Sequence, residues 1–254
     1  LGGVVSLGLA DATIKFVARR RAHGDAAGVV AVFRSTMTLY GALGLAAGAV
    51  VFALAPFLAA RVFKVSADLV PLTITGFRIA GVALVGRFAQ GIFQSGIYGF
   101  ERHDMAARVR MLTTTASMLT SVVLVWLGFG FAAVLWTMTA FLFAGGIALA
   151  WVLKTRLAPE LTFSPSFDRR AWKEMIGFGM TSWVRDIISS LAYNMDSFLI
   201  GIFLGPAPVA YYGVGRRLAQ QVHALLSNAT ATLFPLSGKL FDQNDLSRLR
   251  TLYD

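Results

Sequence analysis

Long apolar segments dominate this chain and constrain what it can fold into. Charged residues make up 14% of its 254 residues, whereas a soluble domain carries about 25%. A helix of about 20 apolar residues spans the hydrocarbon core of a bilayer. The sequence therefore predicts an all-α, polytopic transmembrane helix bundle of about seven spans: Leu1–Ala18, Thr36–Ala60, Leu72–Phe100, Leu112–Gly128, Phe131–Leu153, Ile176–Leu204 and Pro208–Leu236.

Basic residues are distributed unevenly between the two sides of these spans. Fifteen of the 23 Lys and Arg residues fall in connections on one side, two (Arg61 and Lys64) on the other, and six within spans. Cytoplasmic connections carry the excess of Lys and Arg, so the first side is predicted to be cytoplasmic. Because the basic residues cluster at span ends, the net charge of +10 indicates membrane topology, and we expect no nucleic-acid partner.

The chain has features expected of a fragment. It begins at Leu1 inside an apolar run without a charged segment before it, and Asp254 follows the apparent start of another amphipathic segment. We therefore expect both ends of a longer protein to be missing, and no signal peptide. The longest connection, Lys154–Lys173, contains Pro159 and Pro165 and is interpreted as a cytoplasmic hinge between two bundles. There is no Cys, and we expect neither a metal site nor a cofactor.

Six arginines within the spans point to the kind of cargo. A central Arg costs roughly 2.5–3.5 kcal/mol in a bilayer, so six facing lipid would cost about 15–20 kcal/mol. We therefore expect most of them to line a wet cavity or its rims. Only three Asp residues lie at similar depth, which leaves an excess of positive charge and predicts an anionic cargo. The arginines are Arg34, Arg78, Arg87, Arg185, Arg216 and Arg217, and the acids are Asp11, Asp186 and Asp196.

Polar side chains form stripes on three spans, at helical steps of three and four residues. Two consecutive striped helices should face one interior, and the third stripe contributes from an earlier span. The first stripe is Ser182, Arg185, Asp186, Ser189, Tyr193, Asp196 and Ser197; the second is Tyr212, Arg216, Gln220, His223, Ser227 and Thr230; the third is Arg87, Gln90, Gln94 and Tyr98.

Structural roles compete with these functional ones. Arg185 could form a static buried ion pair with Asp186 or Asp196. His223 could be an interior histidine whose hydrogen bonds are all made within the protein. Arg78 would suit a snorkelling interfacial position, and Arg34 contact with lipid phosphates. Thr113, Ser117 and Thr120 are predicted to make helix–helix hydrogen bonds, and Gly44 with Gly48 a close helix contact.

No catalytic constellation is visible in the sequence. It contains no H-E-x-x-H motif, no glycine-rich phosphate loop with Lys, and no acidic pair spaced for a metal–sugar-nucleotide site. The three His residues lie on different segments. We therefore expect a transporter and not an enzyme.

Several motifs resemble the polysaccharide flippases of the multidrug/oligosaccharidyl-lipid/polysaccharide exporter superfamily. The run from Gly8 to Arg19, GLADATIKFVAR, followed by Gly24-Asp25, resembles the end of their second helix. Five further motifs resemble the seventh and eighth helices of these flippases: MIGFGM from Met175, NMDSFLIGIFLGP from Asn194, VAYYGVGRRL from Val209, LFPLS from Leu233 and DLSRL from Asp245.

The resemblance implies a two-lobed exporter fold. Residues 1–155 would be the N-terminal lobe (helices two to six of the family), 156–173 the cytoplasmic linker, and 174–254 the truncated start of the C-terminal lobe (helices seven and eight). It also implies a cationic central cavity and outward flipping of undecaprenyl-pyrophosphate-linked oligosaccharide for O-antigen or exopolysaccharide synthesis. The location would be the bacterial plasma (inner) membrane, with membrane lipids and possible glycan polymerase and export machinery as partners.

Candidate roles follow from this cargo. Arg87, Arg185 and Arg216 would hold the pyrophosphate, since guanidinium forks pair bidentately with phosphate oxygens. Gln90, Gln94, Tyr193 and Gln220 would bond sugar hydroxyls, and Asp186, Asp196 or His223 would carry a coupling proton or Na⁺. The first alternative is a peptidoglycan-precursor flippase. The second is a cation-coupled multidrug antiporter of the same superfamily, which would need an acidic cavity. The third is a membrane-embedded glycan polymerase or glycosyltransferase, which would need a large extramembrane loop with acidic residues.

Overall fold

The computed structural model describes residues 8–63, 65–164, 169–205 and 207–222. These residues form helices and short connections, and no strand occurs among them. The apolar runs account for the helices, which are α1 (Leu9–Ala22), α2 (Ala26–Phe57), α3 (Val70–Gly99), α4 (His103–Trp126), α5 (Phe131–Val152), α6 (Arg169–Phe203) and α7 (207–222). A π-helical turn continues α2 over Leu58–Val62, and another continues α5 over Leu153–Leu157.

Among the residues that the structure describes, four helical segments are long and apolar enough to cross a membrane: Ala26–Val62, Val70–Gly99, His103–Trp126 and Phe131–Leu157. The predicted class, an all-α transmembrane bundle, is confirmed. The chain divides into two compact units, Leu1–Met195 and Asp196–Asp254, which are described separately. The predicted lobes and linker stay a prediction.

The short connection between α1 and α2 is fixed by polar contacts. The Asp25 carboxylate accepts a hydrogen bond from the Gly28 backbone N–H at 2.8 Å and so caps the N-terminus of α2. Arg20 pairs with Asp25 at 3.0 Å and with Glu174 of α6 at 3.3 Å. The Gly28 N–H, and then the Arg20 guanidinium, lower the pKa of Asp25. These contacts link α1, α2 and the start of α6.

Helices α2 and α3 approach each other through glycines. A Cβ on Gly48 would lie 2.7 Å from the Gly81 carbonyl oxygen, and one on Gly81 would lie 2.8 Å from the Gly48 carbonyl oxygen. A Cβ on Gly44 would lie 2.7 Å from Phe88 Cβ. No side chain fits between the two backbones at this level, so the predicted close contact at Gly44 and Gly48 is confirmed.

The connection after α5 packs back onto the first unit. Ala158 and Leu161 are buried, and the Lys154 ammonium donates to the carbonyls of Pro159 and Leu161 at 2.7 and 2.6 Å. Arg34 Nε donates to the Ser164 carbonyl at 3.0 Å. A backbone carbonyl from the connection therefore occupies one guanidinium donor of Arg34, and the contact of this side chain with lipid phosphates stays a prediction.

The start of α6 packs against α1 within the same unit. The Lys15 ammonium lies 3.8 Å from the centroid of the Phe178 ring, and the rings of Phe16 and Phe178 meet edge to face at 6.5 Å. Met175 is fully buried. The basic residues from Arg169 onward belong to the first turns of this continuous helix.

Candidate functional site

An open cavity of about 310 Å³ lies between α3, α4 and α5 of the first unit. We call it the α3–α4–α5 cavity. Its polar lining comes from α3 and α4, and part of its apolar lining comes from α5. The lining residues are Arg87, Gln90, Gln94, Arg110, Thr113, Thr114, Ser117, Met118, Met138, Phe141 and Leu142.

The α3 wall of the cavity contains the stripe that the sequence predicts. The Arg87 side chain is exposed, Gln90 is 8% exposed, and Gln94 is half-buried. Gln94 Nε2 donates to the Tyr98 hydroxyl at 2.8 Å. A Cβ on Gly145 of α5 would lie 2.9 Å from Gln90 Nε2, so the small residue leaves space for the amide. Helical spacing thus places Arg87, Gln90 and Gln94 along one cavity.

The sequence did not predict that residues of α4 form a wall of this site. The sequence places Arg110 among the fifteen basic residues of the cytoplasmic connections, but in the structure it lies in the second turn of α4 and lines the cavity. Thr113 Oγ1 donates to the Val109 carbonyl at 2.9 Å, so the predicted helix–helix bond is wrong for Thr113. Threonine hydroxyls commonly bond the carbonyl four residues earlier in their own helix.

A helical spacing was the available signal for this wall. Arg110, Thr114, Ser117 and Ser121 follow one another at steps of three and four residues, which places them on one face of α4. Ser121 is 8% exposed, and its Oγ has no hydrogen-bond partner in the described part of the chain. The polar face of α4 therefore continues one turn beyond the cavity lining.

The cavity carries positive charge without an acidic neighbour in the described structure. No described carboxylate lies within 4.0 Å of the guanidinium of Arg87 or Arg110. Nor does any described group hydrogen-bond to the Gln90 amide. Two cations and an amide with free donors can bind an anionic, hydrogen-bonding ligand.

A second polar cluster lies in the second unit, where the stripes of α6 and α7 meet. The Tyr212 hydroxyl donates to Asp196 Oδ2 at 2.9 Å. Arg216 Nη1 donates to the Ser197 hydroxyl at 3.0 Å. The Gln220 side chain is exposed on α7. The sequence stripes thus identify residues that contact one another across two helices.

The structure describes only some of the other candidate site residues. Arg185, Asp186 and Tyr193 lie on α6, but their side chains are outside the described structure, as is all of His223. The shared interior predicted for Arg87, Arg185 and Arg216 stays a prediction. Arg78 lies outside the α3–α4–α5 cavity, with its guanidinium carbon 5.4 Å from the Phe52 ring centroid. Among the described residues, no group of three His, Cys, Asp or Glu is arranged to hold a metal ion.

Long apolar helices define this chain as a multi-pass α-helical membrane protein. Its fold is similar to the inward-facing conformation of a multidrug resistance MATE family transporter of the MOP superfamily, with a TM-score of 0.77 and 18% identity. The alignment covers 99% of this chain and 58% of the transporter, so the chain spans little more than half that length. At this identity the likeness concerns the fold alone.

The family follows from the sequence match. A family model described as polysaccharide biosynthesis protein matches residues 4–254, and the chain belongs to this family. No curated protein matches the chain. The family match and the MOP-type fold together confirm the resemblance to the polysaccharide exporters stated above.

Proposed function

We propose that the full-length protein is a flippase for undecaprenyl-pyrophosphate-linked oligosaccharide. It would move this lipid from the inner to the outer leaflet of the bacterial plasma membrane by alternating access, for O-antigen or exopolysaccharide synthesis. Membership of the polysaccharide biosynthesis family supports the glycan, and the MOP-type fold supports transport.

The observation that carries this proposal is the charge of the α3–α4–α5 cavity. Arg87 and Arg110 have no described carboxylate within 4.0 Å. A diphosphate supplies the missing negative charge, and guanidinium groups bond its oxygens in pairs. The cavity also exposes amides and hydroxyls to a ligand, as Gln90, Gln94 and Thr114 line it. These groups suit sugar hydroxyls.

Residues of α6 and of the segment that begins with α7 would supply further ligands. Arg185 and Arg216 would bind the pyrophosphate with Arg87, while Tyr193 and Gln220 would bind sugar hydroxyls. Asp186, Asp196 or His223 would carry the coupling proton or Na⁺. Asp196 suits that role because its carboxylate already accepts a hydrogen bond from Tyr212, and a proton or cation on the carboxylate would weaken this contact.

Charge also separates the alternatives. A peptidoglycan-precursor flippase handles the same lipid diphosphate and is the second candidate. A cation-coupled multidrug antiporter needs an acid-dominated cavity, and no acidic residue lines the α3–α4–α5 cavity. A glycan polymerase or glycosyltransferase needs acidic catalytic residues on a large extramembrane loop, whereas the connections between α2 and α5 are short. Complementation of glycan-export and peptidoglycan-flippase mutants distinguishes the two flippases.

The test replaces Arg216 in the full-length protein. Arg216→Gln should insert at normal abundance yet reduce surface glycan by at least about tenfold, the cost of one charge-assisted contact. Arg216→Lys should keep partial export because a point charge still attracts phosphate. Arg61→Gln, an exposed residue in the turn after α2, is the control and should export normally. Surface glycan and membrane abundance are measured together.

A static ion pair predicts a different pattern. If Arg216 only neutralised Asp196, Arg216→Gln would lower the free energy of unfolding, by about 1 kcal/mol or less because Asp196 is exposed. Adding Asp196→Asn would then restore both melting temperature and export. Normal export from Arg216→Gln, or rescue by the double change, contradicts the pyrophosphate role.

A further inference from the structure

A polar contact links the α3–α4–α5 cavity to the end of α3. Gln94 lines the cavity, and its Nε2 donates to the hydroxyl of Tyr98, one turn further along α3, at 2.8 Å. Gln94 Oε1 accepts no hydrogen bond from the described part of the chain. Because Tyr98 holds the N–H side of the amide, the carbonyl oxygen is left as the acceptor that a ligand can reach.

The ring of Tyr98 is held by the first residue of α4. The centroids of the Tyr98 and His103 rings lie 4.6 Å apart, and the ring planes are tilted by 34°. This separation is typical of aromatic pairs. Tyr98 is also half-buried and packs against the hydrophobic core. These contacts restrict the ring, so they fix the position of its hydroxyl as well.

The turn between α3 and α4 brings His103 back over Tyr98. Glu101 has a φ of +60°, a left-handed conformation that costs free energy in a residue other than glycine. The Glu101 N–H donates to the Tyr98 carbonyl at 2.9 Å, and Arg21 of α1 donates to the Phe100 carbonyl at 3.1 Å. These bonds hold the turn in its strained form, and such strain is concentrated at functional sites.

We propose that Tyr98 is a positioning residue that sets the preference of the cavity for a sugar. Its hydroxyl holds the Gln94 amide so that the carbonyl oxygen accepts a hydrogen bond from a sugar hydroxyl, and His103 keeps the Tyr98 ring in place. Neither Tyr98 nor His103 lines the cavity, so both act through Gln94. This inference rests on the proposed function, which gives Gln94 a sugar contact.

Packing alone does not account for the Tyr98 hydroxyl. A ring without the hydroxyl would stack on His103 and pack against the core equally well. In the described part of the chain, the Gln94 amide is the one hydrogen-bond partner of this hydroxyl. The bond therefore serves the amide, whose carbonyl end is free to bind a ligand in the cavity.

The experiment compares the binding of two lipids to the purified full-length protein in neutral detergent. The probes are undecaprenyl diphosphate and undecaprenyl-diphospho-N-acetylglucosamine, which differ by one sugar. Wild-type protein should bind the second probe more tightly, by about fivefold for one neutral hydrogen bond. Tyr98→Phe should lose this preference and keep its affinity for undecaprenyl diphosphate. Because the ratio of the two affinities is taken within each variant, a fall in the amount of folded protein cancels.

A double-mutant cycle determines whether Tyr98 acts through Gln94. Gln94→Ala alone should lose the preference for the sugar, and adding Tyr98→Phe should then change nothing further. His103→Phe keeps a ring to stack on Tyr98 and should keep the preference, whereas His103→Ala should reduce it. Tyr211→Phe is the matched control, because it makes the same substitution at an exposed residue of α7. It should bind both probes as the wild-type protein does.

The outcomes separate the positioning role from the proposed function. Binding of both probes with an unchanged preference in Tyr98→Phe would overturn the positioning role alone. Equal affinities of the wild-type protein for the two probes, or additive losses in the double variant, would do the same. Wild-type protein that binds neither probe would overturn the proposed function together with the positioning role.

Discussion

Two faces of α3 differ in the size of the side chains that they accommodate. Towards α2, the backbones approach through Gly48 and Gly81, and a Cβ at either position would meet a carbonyl oxygen at under 3.0 Å. Towards α4 and α5, the same helix presents Arg87 and Gln94 to an open cavity. One face excludes side chains, and the other displays them.

This difference shows how one helix serves packing and binding together. Within a membrane, helices associate through close van der Waals contact, which favours small residues. A binding wall needs long polar side chains and open space. Because 100° separates successive residues on a helix, α3 carries both without conflict. Substitutions on the two faces should therefore have different consequences.

The largest effect is expected at the α2–α3 contact. Gly48→Ala should lower the free energy of unfolding by about 1–3 kcal/mol, because the new methyl group meets the rigid backbone of Gly81. Gly41→Ala, in the same helix, meets nothing within 4 Å. It should be neutral or stabilise by up to about 1 kcal/mol. Thermal unfolding of both full-length variants in detergent measures the difference, and equal melting temperatures would contradict the close contact.

An intermediate effect is expected where a glycine meets the cavity. A Cβ on Gly145 lies 2.9 Å from Gln90 Nε2, the far end of a flexible side chain. Gly145→Ala should cost about 0.5–1.5 kcal/mol, the cost of an off-rotamer side chain. It should also weaken cargo binding by moving the amide. Destabilisation as large as that of Gly48→Ala would show that both faces are equally rigid.

The smallest effect on stability is expected for the cation itself. Arg87→Gln should change the free energy of unfolding by no more than about 0.5 kcal/mol, as for exposed positions without packing partners, while cargo binding falls. Arg20→Gln is the comparison, because Arg20 pairs with Asp25 and Glu174 and should destabilise more. A larger loss at Arg87 than at Arg20 would reverse the assignment of binding and structural roles.

The sequence predicts the helices better than their ends. The apolar windows that start at Thr36 and Leu112 open about ten residues inside helices that begin at Ala26 and His103. Hydropathy detects only the part of a helix that lies in hydrocarbon, whereas the backbone stays helical through the polar turns on the aqueous side. The Asp25 carboxylate caps the N-terminus of α2, and this polar residue lies eleven positions before the hydropathy window opens at Thr36.

The site was predictable where polarity and periodicity coincide. Arg87, Gln90 and Gln94 interrupt an apolar span, and their spacing identified a common face. Arg110 precedes the apolar window of its helix, so it was assigned to a connection. Thr113 and Ser117 were assigned to helix contacts, because a hydroxyl in a span indicates no particular partner. Which helices would close around this face depends on tertiary packing, which one-dimensional patterns do not encode.

The hydrogen bond from Arg34 to Ser164 has a consequence for the order of biosynthesis. The two residues are 130 positions apart. At roughly 5–20 residues per second of synthesis, Arg34 is made on the order of 10 s before its partner carbonyl. During that interval water or lipid phosphates must solvate the guanidinium, although neither does so through Nε in the finished fold. The nascent chain can therefore reach its native structure around Arg34 only after the segment that follows α5 has been synthesised.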